Sequence, residues 1–286
     1  MTTRWKIVAA TLVALGCGAV VAAAAPPKTD AKIAAEVPAK VRAKGTLLVA
    51  TAATYAPNEF TSPNGQALVG MDPDLIRALA TVMGLRTKFV NVRFDTIIPG
   101  VASGRYDLGM SSITVTKARA KVVDFVTYYS AGTSFYVKAN AGPDIKSLAD
   151  LCGRTVAVVA GTTQAADAEA QTAACRKAGK PDVKVAIFPD HLSAYIALES
   201  SSQAVGMADS PVAAYIVKSS RGQLELTGTY GKAPYGIALR KRNGMAKPVL
   251  DALKKLMADG RYRAILTKWG IQSGAIANPT IAPAAR

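Results

Sequence analysis

Short apolar runs alternate with helix-length amphipathic stretches along this chain, and the alternation happens twice. That pattern constrains the fold more than any other feature. In the first round, Thr46-Leu47-Leu48-Val49-Ala50-Thr51 follows Gly45 and reads as a buried strand. A helix opens at Asp72-Pro73-Asp74, and a strand over 87–92, a helix over 95–103 and a strand over 107–111 follow. The second round starts after Lys146, with helices over 147–151, 163–178, 192–199 and 211–219 and strands over 155–159, 183–188 and 204–208. A strand over 236–240 and helices over 245–259 and 261–269 are left for the end of the chain. Strand–helix–strand order implies parallel sheets with crossover helices. Two α/β units are therefore expected, the last elements returning to the first. A length of 286 residues agrees with about two domains.

The helix at residue 72 shows the local logic. Asp72 is suited to cap it, Pro73 to occupy its first turn, and Asp74 to face the positive end of its dipole. Leu75, Ile76, Leu79, Val82 and Met83 then fall on one face, and Gly84 ends it. Residues 25–44 read as a leader with a short helix near 33–42. Residues 272–286 read as a C-terminal tail, frayed from Ile276 to Arg286, with two prolines and no periodicity there.

Composition excludes several classes. Half of the residues are hydrophobic (50%), enough for sizeable cores. One His rules out a multi-histidine centre, and three Cys rule out a Cys-rich zinc module. No metal and no cofactor are expected. Gly-x-Ser-x-Gly, His-Glu-x-x-His and Gly-x-Gly-x-x-Gly are all absent. The formal net charge is +16, but its basic residues are dispersed and not interleaved with aromatics, so a nucleic-acid groove is not supported.

The first residues set the compartment. Arg4 and Lys6 precede an apolar run from Ile7 to Ala25 that ends in small residues before Pro26-Pro27, the layout of a secretory signal peptide. Cleavage after Ala24 satisfies the small-x-small rule. A lipidated Cys17 and an uncleaved anchor are the alternatives. Loss of residues 1–24 removes Arg4 and Lys6 and takes the charge from +16 to +14. It also leaves two cysteines, Cys152 and Cys175. In an exported protein such a pair reads as a disulfide, with two buried thiols as the alternative.

Four places can carry chemistry, each with a plainer explanation beside it. Ser111-Ser112-Ile113-Thr114 and Arg119 lie where a strand of a parallel sheet ends, which is where such sheets bind ligands. Arg119 offers a fork that matches a carboxylate, or is a surface Arg opening a helix. Gly161-Thr162-Thr163-Gln164 joins a strand to a helix and is an anion site or a simple cap. Asp209 precedes Ser210-Pro211 and either accepts from a ligand ammonium or caps the next helix. Tyr55 and Phe94 lie just past strands and either sandwich a small ligand or belong to the core.

Taken in order, these segments resemble the bacterial periplasmic (extracellular) solute-binding proteins of polar amino acid ABC transporters. The resemblance rests on Gly45-Thr46-Leu47-Leu48-Val49-Ala50, Tyr55-Ala56-Pro57-Asn58-Glu59-Phe60, Gly70-Met71-Asp72-Pro73-Asp74-Leu75 and Phe94-Asp95-Thr96-Ile97-Ile98-Pro99-Gly100. It continues through Gly104-Arg105-Tyr106-Asp107, the 111–119 segment, Gly161-Thr162-Thr163-Gln164, Asp209-Ser210-Pro211 and Asp259-Gly260-Arg261-Tyr262. It implies a two-lobed α/β fold of type II, each lobe a mainly parallel sheet flanked by helices, with two hinge strands near 135–137 and 235–238. Lobe 1 would be 45–135 with 239–271, and lobe 2 would be 138–236. It also implies that Arg119 grips a ligand α-carboxylate, helped by backbone N–H groups near Thr114, Thr162 and Thr163. Asp209 would pair with the α-ammonium, with Ser111, Ser112 and Thr114 as further partners and Tyr55 and Phe94 flanking the side chain. Asn58 and Ala52 depart from the pattern. Ala52 stands where receptors for basic amino acids carry an Asp, which argues against Lys, Arg or His as ligand.

The expectation is thus a monomeric periplasmic receptor that closes on a free amino acid and docks on an ABC-type membrane permease. The competing reading on the same fold is a cyclohexadienyl or arogenate dehydratase, for which Glu59 is the candidate acid.

Overall fold

The structure, a computed structural model, describes residues 27–200 and 204–282. The expected signal peptide and Cys17 lie outside the described residues. Two short helices, α1 (Ala31–Glu36) and α2 (Ala39–Lys44), lead to strand β1 (Thr46–Thr51). A small sheet of β2 (Thr54–Tyr55), β3 (Glu59–Thr61) and β4 (Leu68–Val69) precedes α3 (Met71–Val82), β5 (Arg86–Asn91), α4 (Phe94–Ala102), β6 (Leu108–Gly109) and α5 (Lys117–Val122). The long strand β7 (Val123–Lys138) crosses to a second half holding β8 (Thr155–Val159), α6 (Thr163–Lys177), β9 (Lys184–Phe188), α7 (His191–Glu199), β10 (Ala204–Asp209) and α8 (Ser210–Ser219). Strand β11 (Leu224–Arg240) returns, and α9 (Ala246–Ala258), α10 (Arg261–Lys268) and β12 (Ile281–Ala282) finish the first half.

The main sheet runs β5-β1-β6-β11-β7-β10-β8-β9, with β12 on β7. Pairing is parallel within each half, β5-β1-β6 and β10-β8-β9, and antiparallel where β7 and β11 join them. The sheet thus has two α/β halves, and the end of β11 with α9 packs into the first.

Each half has its own core. In the first, Leu47 and Val49 of β1 meet the face of α3 set by Leu75, Ile76 and Leu79, with Leu253 and Leu256 of α9. In the second, Phe135, Val156, Val158, Val205 and Met207 pack with Cys175. Cys152 and Cys175 form a disulfide with a Cα–Cα distance of 5.6 Å, tying the turn before β8 to α6.

Some expectations change. β7 and β11 form one two-stranded ribbon; Tyr136 opposes Leu226 while Tyr235 opposes Tyr129. The connectors expected near 135–137 and 235–238 are therefore not opposite each other. Residues 135–137 already sit in the second half, and the ribbon crosses at 129–133 against 230–235. Neither strand shows an alternating pattern along its whole length, because each passes through two cores. The leader reading fails over the described part: Asp30 donates its N–H to the Val82 carbonyl and Val37 is buried. Pro38 splits the expected helix into α1 and α2. The tail is also tied down where it is described, since β12 pairs with β7 at Phe125 and Val126.

Asp72 is not the cap of α3. That helix begins at Met71 after Gly70, whose φ is +128° and whose place a side chain could not share, because a Cβ there would lie 2.2 Å from the Asn58 carbonyl oxygen. Asp72 is buried, and its carboxylate accepts instead from the Ser112 N–H at 2.8 Å and the Tyr128 hydroxyl at 2.8 and 2.9 Å. Asp74 does face the first turn, and also accepts from Lys268 and Trp269. Among the described residues no helix is long and apolar enough to cross a membrane.

Candidate functional site

A cavity of about 300 Å³ lies between the halves, at the carboxyl ends of β1, β5 and β6 on one side and β8, β9 and β10 on the other. This is where open α/β sheets place ligands, because loops and helix N-termini converge there with free backbone N–H groups. All nine residues read from the sequence as ligand contacts line it. Tyr55, Phe94, Ser111, Ser112, Thr114 and Arg119 come from the first half, and Thr162, Thr163 and Asp209 from the second.

Arg119 sits in α5, held by N-cap Thr116, whose hydroxyl accepts the Arg119 N–H. Its guanidinium donates to the Thr114 carbonyl at 2.7 Å and, across the cavity, to the Gly161 carbonyl at 2.8 Å. It also lies 5.4 Å from the centre of the Phe94 ring, a cation–π distance. Burial lowers its pKa to about 10, offset in part by Asp209, so it stays cationic at neutral pH. α5 is opened by Lys117 behind Thr116, so the cavity role and not the helix-opening role falls to Arg119.

Asp209 ends β10 and is buried. It precedes α8 but makes no side-chain capping bond there. One carboxylate oxygen accepts from Gln164 at 2.8 Å. Burial pushes its pKa up to about 6, against the pull of its hydrogen bonds and Arg119. Beside it lies the buried hydroxyl of Tyr235, which also pulls the Asp209 pKa down. Tyr55 bridges the halves: its hydroxyl accepts the Asp209 N–H at 2.7 Å, and its ring lies 4.1 Å from that of His191.

The hydroxyls of the second half are mostly engaged. Thr162 caps α6 by accepting the Ala165 N–H and donates to the Val159 carbonyl. What α6 presents to the cavity is its first turn of N–H groups. Gly161 has φ +76°, and a Cβ there would lie 2.9 Å from Asp95 Cβ of the opposite half. Ser111 and Ser112 also direct their hydroxyls into the protein, donating to the two oxygens of Glu59 at 3.1 and 3.0 Å.

Sequence reasoning missed Asn91, Arg93, Gln164, Asp190 and His191 as cavity residues, and placed Glu59 only as a candidate acid. Gln164 lay in a quoted motif, and Asp190 and His191 follow β9 at another parallel strand end. The strand-end rule applied to every strand would have found them. His191 begins α7, and burial lowers its pKa to about 3, leaving it neutral. Asp190 is occupied in capping Ser193. Among the described residues no group of three or more His, Cys, Asp or Glu is placed to hold a metal ion.

A two-lobed α/β protein with its charged residues facing one cleft from both sides is a clamp-type binding protein by architecture. Comparison with known proteins gives the family. The sequence profile of the bacterial extracellular solute-binding proteins, family 3, matches residues 47–272, and the chain belongs to that family. It is 30% identical over 250 residues to the arginine-binding protein ArgT of Corynebacterium glutamicum, covering 87% of this chain and 82% of the relative. Among solved structures it is similar to an ancestral arginine-binding protein bound to arginine, with TM-score 0.72, 36% identity, and coverage of 79% of this chain and 98% of the other. It is also similar to the ancestral amino acid-binding protein AncCDT-1, a precursor of cyclohexadienyl dehydratase, with TM-score 0.69, 34% identity, and coverage of 80% and 97%.

Proposed function

We propose that this chain is an exported receptor that binds one free amino acid between its halves and delivers it to an ABC-type permease. The carrying observation is that Arg119 and Asp209 enter one cavity from opposite halves without forming an ion pair with each other. A zwitterion satisfies both. Its carboxylate meets the guanidinium N–H groups that Thr114 and Gly161 leave over, together with the first N–H groups of α6. Its ammonium meets Asp209. Burying two opposite charges is tolerable only when each is paired, so an amine or a simple acid leaves one uncompensated.

The halves move as two lobes, one built on β5-β1-β6 with α9 and α10 and the other on β10-β8-β9, bending where the β7–β11 ribbon crosses at 129–133 against 230–235. The chain acts as a monomer in the periplasm after loss of residues 1–24. The ligand is a neutral polar or acidic amino acid. Ala52 brings no charge to the cavity, Asp190 is committed to its cap, and Glu59 is engaged by Ser111 and Ser112. Asp209, placed in the cavity to meet a ligand ammonium, favours the receptor reading over the dehydratase reading. A thermal-shift screen of the mature protein against all common amino acids tests this. Stabilisation by one or a few neutral polar or acidic amino acids is expected, and no stabilisation by any amino acid would reject the reading.

A further inference from the structure

Glu59 and Asp72 are each 1% exposed. Glu59 sits on the wall of the ligand cavity and Asp72 behind it. All four carboxyl oxygens accept hydrogen bonds from neutral donors: Ser111 Oγ and Ser112 Oγ on Glu59, and Ser112 N–H and Tyr128 Oη on Asp72. Among the described residues neither forms an ion pair with Lys or Arg. The other titratable groups that face them are Tyr128 of β7 and, around the cavity, Tyr55, Asp209 and Arg119. Two neighbouring buried carboxylates without a cation cannot both ionise at modest cost.

What they hold is also unusual. Ser112 has φ +48°, a left-handed conformation for a non-glycine residue, which persists only where its surroundings fix it. Those surroundings are Asp72 on its N–H, Glu59 on its hydroxyl, and Asn58, whose amide donates to the same hydroxyl at 2.9 Å. From this corner the chain runs directly to Thr114 and Arg119.

We propose that Glu59 and Asp72 share a single proton and together act as a positioning pair that fixes the Ser111–Ser112 corner of the ligand cavity. The electrostatics agree: burial, then the neighbouring Asp72, holds the Glu59 carboxyl well above the usual range, while Asp72 is raised only to about 6. Glu59 keeps the proton and Asp72 carries the charge. Loss of the second proton at alkaline pH sets two charges against each other, loosens Ser112 and lowers ligand affinity. The effect on affinity rests on the receptor reading above; the shared proton does not.

The test is a pH titration by NMR of the mature protein with carbon-13-labelled Glu and Asp carboxyls, assigned with Glu59→Gln and Asp72→Asn. One protonated carboxyl should persist in the pair at neutral pH, and the Ser112 amide should shift with the same alkaline midpoint. Calorimetry with L-glutamine and with L-arginine then compares variants. Glu59→Gln, a permanently neutral stand-in, should bind whichever of the two the wild type binds within about threefold, without the alkaline decline. Glu59→Ala should weaken binding about tenfold or more. Both carboxyls ionised at neutral pH, a Ser112 amide indifferent to the titration, or wild-type affinity in Glu59→Ala would each overturn the proposal. If the wild type bound neither amino acid, the thermal-shift screen would judge the receptor reading, and the carboxyl and amide titrations would still decide the pair.

Discussion

The hydroxyl of Tyr55, in the first half, accepts the backbone N–H of Asp209, in the second, at 2.7 Å. This bond exists only while the halves are together, and it holds the end of β10 where the Asp209 side chain enters the cavity. Tyr55→Phe keeps the ring against His191 and removes the bond. We expect affinity for the bound amino acid to fall by about three- to tenfold with little change in the melting temperature of the unliganded protein. Calorimetry beside differential scanning fluorimetry checks both; unchanged affinity would show that the bond does not contribute to closure.

Gly161 controls how closely the halves approach. A side chain there meets Asp95 Cβ at 2.9 Å and must adopt φ +76°. Gly161→Ala should therefore weaken ligand binding while each core remains folded. Small-angle scattering with and without ligand should show a smaller closure than wild type, and an identical closure would argue against tight contact at this point.

Two groups link the protein to pH, one through ligand binding and one through stability. Burial raises Asp209 to about 6, and a ligand ammonium favours its ionised form. Binding below about pH 6 should then release a proton, and affinity should fall up to about tenfold per pH unit. Calorimetry in buffers of different ionisation heat reads the proton directly, and zero exchange near pH 5 would contradict the role of Asp209.

His191 acts on stability. Its pKa falls from 6.5 to about 3, chiefly through burial, so the unfolded chain takes up a proton that the folded chain does not. The fold should lose stability as pH drops from 6.5 toward 3, and His191→Gln should lose less over the same window. Melting temperatures of both proteins at about pH 7 and about pH 4.5 decide it, and parallel curves would reject it.

The Cys152–Cys175 bond closes a loop with a sequence separation of 23 residues. Opening it should cost about 3 kcal/mol of stability in the chain-entropy picture. Cys152→Ser with Cys175→Ser should unfold at lower urea, yet still bind ligand, because neither residue lines the cavity.

Much of this was legible in the sequence because the information was local. The β8 strand, the apolar face of α3 and the strand-end positions of Arg119, Thr163 and Asp209 follow from periodicity and from the rule that parallel sheets bind ligands at strand ends. What stayed hidden depends on partners far along the chain. Asp72 looks like a cap until Ser112 and Tyr128 are seen to offer better donors. Tyr129 and Tyr235 belong to a ribbon shared by two halves, so neither strand shows one repeating pattern. Residues 276–282 have no periodicity, yet Thr280 pairs with Thr127 across the chain. Glu59 reads as a free acid, and only its burial shows that serine hydroxyls claim both its oxygens.

The central claim is that Arg119 recognises a ligand carboxylate. Isothermal titration of the mature protein and Arg119→Ala, with the amino acid that most stabilises the wild type, tests it most directly. Micromolar or tighter binding by the wild type and a loss of about a hundredfold or more in the variant are expected. Wild-type affinity in Arg119→Ala would contradict it.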